Sequence, residues 1–100
     1  MAVHLPPFIQ ELEKRDPELF EAVKRVTEVA NAPGALDAKT KTLISMALDA
    51  YIGSEHGVTA LATRARELGA TDQEINEALR LSYSVSGSRP LIAGNNAFPK

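Results

Sequence analysis

Apolar residues recur along this chain at helical intervals and almost nowhere at the alternating interval of a strand. Phe8, Ile9 and Leu12 share one face of "LPPFIQELEKR", whose prolines suit a helix entry. Asp16-Pro17-Glu18 is a start signal, with aspartate as N-cap, proline at the first helical position and glutamate in the first turn. From there Leu19, Phe20, Val23, Val26 and Ala30 hold a stripe until "NAPGAL", whose turn chemistry predicts a loop. Asp37 caps a third helix with Thr40, Leu43, Ile44, Ala47, Leu48 and Tyr51 on one side, ended or kinked by Gly53. A fourth runs from about Ser54 to Leu68, with Val58, Leu61, Ala62 and Ala65 inward and Gly69 as its stop. Thr71 and Glu74 form a capping box for a fifth helix, which carries Ile75, Ala78, Leu79 and Ser82 and loosens at "SVSGSRP". "LIAGNNAF" makes a short last helix, and the tail Pro99-Lys100 is expected to fray. The pattern predicts an all-α domain of five to six helices.

Composition adds a question of how such helices are covered. The 100 residues suit one domain, with 1–35 as N-terminal helices and 36–98 as the main body. A chain this short covers its core thinly, and only 5% of it is aromatic. Small aliphatic side chains therefore do the packing, and surplus apolar faces predict an oligomerising protein. The 13 acidic and 11 basic residues are dispersed, so no basic block points to nucleic acid.

The absence of cysteine excludes disulfides, thiolate metal ligands and a cysteine nucleophile. "MAVHLPPF" lacks the basic and apolar regions of a signal peptide, and "TLISMAL" is far shorter than the ~18 residues of a membrane span. A cytoplasmic protein with no membrane partner is the expectation.

Candidate chemistry concentrates in "GSEHGVTAL", residues 53–61. Ser54 after a glycine is in place to cap the helix; its functional alternative is a hydroxyl that hydrogen-bonds a ligand. Glu55 falls in the first turn, where the helix dipole favours a carboxylate. His56, beside the same positive helix end, suits a general base or a metal ligand. It has no second histidine or cysteine at ligand spacing, so neither a metal nor a cofactor is expected. Gly57 inside a helix points to a close approach by a neighbouring group. Arg64, Arg66 and Arg80 are candidate contacts for a small carboxylate-bearing ligand, although such arginines more often form surface ion pairs. Tyr51 and Tyr83 read as core or interface residues, and His4 carries little weight.

Three segments then occur in a fixed order: "LDAKTKTLISMAL", "SEHGVTALATRARELGAT" and "DQEINEALRLSYSVSG". Over residues 36–98 this order resembles the carboxymuconolactone decarboxylase and alkylhydroperoxidase D-like family. The resemblance implies the alkylhydroperoxidase D-like helical domain, assembled as homo-trimers or homo-hexamers. It also implies a peroxidatic site of one glutamate, a Cys-x-x-Cys and a histidine, which fall on Thr42, Ser54, Gly57 and Leu61. Every one of these is replaced, so peroxiredoxin-type thiol chemistry is not expected. The chain then reads as a relic of that chemistry that binds a small molecule or acts through assembly. The alternative is a decarboxylase or lactone-type enzyme with a rebuilt site around His56, Glu55 and Ser54.

Overall fold

The computed structural model describes residues 5–99; His4 and Lys100 lie outside them. Among the described residues the chain forms six α-helices and one 3₁₀ turn, with no strand. It divides after Ala35 into two units.

The first unit is the pair α1 (Pro7–Arg15) and α2 (Pro17–Asn31), which pack on one another. Asp16 separates them, and its carboxylate accepts the Leu19 amide at 3.1 Å. Leu12 and Phe20 are buried. The rest of the predicted stripe is not: Val26 is 69% exposed and Phe8 72%.

The second unit holds α3 (Ala38–Ile52), α4 (Glu55–Glu67), α5 (Asp72–Ser86), α6 (Arg89–Gly94) and the 3₁₀ turn Asn95–Ala97. Helix α3 packs against α4, α5 and α6. The buried centre takes Met46 and Ala50 from α3, Val58, Ala62 and Ala65 from α4, and Ile75 and Leu79 from α5, closed by Ala93 and Ala97. Small residues let the helix backbones approach closely, which is why the core needs no buried aromatic.

The helix boundaries follow local chemistry. The Asp37 carboxylate accepts the Thr40 amide at 2.7 Å and starts α3. Gly53 ends α3 in the left-handed conformation, φ +82°. The capping box forms as read: the Glu74 amide donates to the Thr71 hydroxyl at 3.1 Å, and the Thr71 amide donates to the Glu74 carboxylate at 2.9 Å. Glu74 also accepts from Lys39 Nζ at 2.8 Å, which ties α5 to the start of α3.

One expectation is sharpened and one changes. Helix α5 stays regular to Ser86 and ends at Gly87, inside the "SVSGSRP" segment. The Ser84 and Ser86 hydroxyls donate to the Leu81 and Ser82 carbonyls, so the serines are accommodated within the helix. The apolar side of α3 is also not its core side. Met46 and Ala50 face the core, whereas Leu48 is 60% exposed and Tyr51 about half exposed. Tyr83 is exposed as well, so neither tyrosine belongs to the core.

Candidate functional site

Ser54 is the N-cap of α4. Its extended backbone starts the helix, and its hydroxyl oxygen accepts the Gly57 amide at 3.2 Å. The Ser54 amide donates to the Asp49 carbonyl at 2.9 Å, which fixes the turn between α3 and α4. Glu55 and His56 follow in the first turn, and both are exposed.

The close approach expected at Gly57 is made by Asp49. A β-carbon at residue 57 would collide with the Asp49 carboxylate, with Asp49 Cγ at 2.7 Å and the Ser54 hydroxyl oxygen at 2.9 Å. Asp49 is half-buried, and burial raises its pKa above the ordinary aspartate value. The structure therefore brings Asp49, Ser54 and Gly57 together at the start of α4.

Asp49 was not among the residues singled out from sequence. The available signal was a lone carboxylate in the otherwise uncharged stretch "TLISMALDAYIG".

The other positions implied by the resemblance have packing roles. The Thr42 hydroxyl donates to the Ala38 carbonyl one turn back, at 2.8 Å. Leu61 packs, partly buried, against the core. The position of the second thiol is the one Asp49 crowds. With no cysteine in the chain, a thiol pair has no counterpart here.

The arginines divide clearly. Arg66 is engaged three ways: with the Asp72 carboxylate at 3.0 Å, with the Ala97 carbonyl at 2.8 Å, and over the Phe98 ring at 5.2 Å. It joins α4 to the 3₁₀ turn and to the start of α5. Arg64 and Arg80 are exposed and line neither of the two cavities described below. Among the described residues no group of three metal-ligating side chains gathers anywhere, His56 included.

Two concavities flank this region. One, of about 580 Å³, opens at the α3–α4 turn between Gly53, Glu55, Ser88 and Arg89, with Ile52 and Ile92 at its sides. The other is a groove of about 600 Å³ along α3 and α5. Leu43, Ile44, Leu48 and Tyr51 line it from α3, and Leu81 and Val85 from α5. The exposed α3 stripe is thus one wall of a continuous apolar surface. Among the described residues, no helix is long and apolar enough to cross a membrane.

Comparison with known proteins bears on the family and the fold. A sequence model of the carboxymuconolactone decarboxylase family matches residues 17–98. The uncharacterized protein MJ1511 of Methanocaldococcus jannaschii is 30% identical over 79 residues, covering 79% of this chain and 74% of the relative. The crystal structure of lpg0406, a carboxymuconolactone decarboxylase family protein from Legionella pneumophila, superimposes with a TM-score of 0.79. That match is 29% identical in sequence and covers 89% of this chain and 80% of the other.

Proposed function

Because the chain belongs to the carboxymuconolactone decarboxylase family and has no cysteine, we propose that it is a homo-oligomer that binds a small molecule without thiol redox chemistry. The apolar groove along α3 and α5 carries this reading. Val85 is 89% exposed and Leu81 69%, beside the exposed Leu48 and Tyr51. An apolar patch this continuous is costly to leave in water, and a second copy of the chain would remove it from solvent. The cavity at the α3–α4 turn supports the small-molecule part of the reading.

Native mass spectrometry of gently purified protein tests both parts. A discrete oligomer that releases a stoichiometric small molecule on denaturation is the expected result. A monomer contradicts assembly, and an oligomer that releases nothing limits the role to assembly alone.

A second reading, an enzyme of decarboxylase or lactone type with a rebuilt site, is favoured by one observation. The half-buried Asp49 carboxylate, with its raised proton affinity, stands against the turn that begins Ser54-Glu55-His56. Such a group is suited to holding a proton for transfer. Decarboxylation of β-keto acids, or lactone turnover, that is unaffected by both Asp49→Asn and His56→Ala would rule this reading out.

A further inference from the structure

We propose that the cavity at the α3–α4 turn takes a small organic monocarboxylate, with Arg89 on the carboxylate head and Ile52 and Ile92 against the apolar body. The proposal rests on the reading of the protein as a small-molecule binder and is independent of its assembly.

Four features of the cavity converge on this ligand class. Its volume of about 580 Å³ falls within the roughly 300–1,000 Å³ of small-ligand sites. The Arg89 guanidinium has no hydrogen bond or ion pair within the described residues, whereas that of Arg66 is satisfied by a carboxylate, a carbonyl and a ring. A guanidinium left in that state in a cavity has its planar donor edge available for a carboxylate.

The third feature is Gly53. With φ +82° it turns the chain sharply at the end of α3 and presents bare backbone there. The arm of Arg89 lies across that bare turn, its Cδ 3.3 Å and its Cγ 3.5 Å from where a β-carbon of residue 53 would be. The glycine therefore seats the arginine in the cavity as well as ending the helix.

The fourth feature sets the rest of the ligand. Ile52 is 59% exposed and Ile92 67%, so apolar surface borders the cationic group. An anionic head joined to an apolar body meets both. Glu55 lines the same cavity and adds one negative charge to it. That charge disfavours a doubly charged anion such as hydrogen phosphate more than a singly charged carboxylate. Ser88 adds a hydroxyl on the same side.

The test titrates the full chain with benzoate, following backbone amide and methyl resonances by NMR. Benzyl alcohol and inorganic phosphate are the controls. Saturable benzoate shifts at the Ile52 and Ile92 methyls are expected, with weaker binding of both controls and a fall in affinity as salt rises. Arg89→Gln should weaken benzoate about tenfold or more, the usual consequence of losing a charge-assisted hydrogen bond. Arg64→Gln, an exposed arginine outside the cavity, should leave it unchanged. Because Arg89 is exposed, its variant should keep the wild-type circular dichroism.

Three results would overturn the proposal: no saturable benzoate binding, equal affinity in Arg89→Gln, or phosphate binding as tightly as benzoate. If benzoate binds elsewhere with Arg89→Gln unaffected, this site falls while the small-molecule reading stands. The release of a co-purified molecule judges that reading separately.

Discussion

The carboxylate of Asp49 fills the space that a β-carbon at residue 57 would need, so positions 49 and 57 form one steric unit across the α3–α4 turn. Gly57→Ala inside a helix would ordinarily gain about 1 kcal/mol. Here the added methyl meets the carboxylate, and a net loss of about 1–3 kcal/mol is expected. In an Asp49→Ala background the loss should shrink, leaving the Ser54 hydroxyl oxygen at 2.9 Å as the remaining close group. Urea denaturation of the four proteins in this cycle measures the coupling. Additive effects would show that the two residues do not share the space.

Asp49 also sets a pH dependence of unusual sign for an aspartate. Burial raises its folded pKa above the unfolded value, so the folded chain binds this proton more tightly. Its contribution to stability therefore falls as pH rises from about 4, the unfolded value, through the folded pKa, and stays low above it. Asp49→Asn should raise Tm at pH 7, and the gain should disappear below about pH 4. A gain that persists undiminished in acid would contradict the assignment.

Glu74 acts in the opposite direction. Its hydrogen bond with Lys39, and then the one from the Thr71 amide, lower its pKa in the folded chain. The stability it contributes is present above the unfolded value and is lost as pH falls through the folded one. Glu74→Gln keeps a capping-box side chain but removes the charge. Thermal melts across pH 3 to 7 should show a flatter acid limb for this variant, with only a small loss of Tm at neutral pH.

Arg66 and Arg64 sit two residues apart on α4 and should differ sharply. Arg66→Ala removes hydrogen bonds to Asp72 and Ala97 and the contact with Phe98, and should cost about 1–3 kcal/mol. Arg64→Ala should stay within about 0.5 kcal/mol of wild type. Chemical denaturation of both separates a structural arginine from a solvated one.

These residues also mark what the sequence could and could not disclose. Asp16, Asp37, Ser54 and Thr71 were readable as caps because capping is settled within four residues of chain. The α3 stripe was readable as apolar, but periodicity alone does not say which apolar side meets the core. Met46 and Ala50 meet it, and the longer stripe of Ile44, Leu48 and Tyr51 is left outside.

At the site, the glycine at 57 announced a close neighbour without naming it. Asp49 is its neighbour only because the Gly53 turn folds α4 back beside α3. Arg89 was beyond reach for a similar reason: its place over Gly53 joins residues 36 apart in sequence through the packing of α6 on α3.

In the proposed oligomer another copy of the chain covers the α3–α5 groove, and the mass of the native particle tests this most directly. Native mass spectrometry at micromolar concentration, on wild type and on Leu48→Glu, is the measurement. Wild type should appear as one discrete oligomer, and a charge at residue 48 in the groove should break it into smaller species that keep their helical circular dichroism. A wild-type monomer, or an oligomer indifferent to Leu48→Glu, would contradict the account.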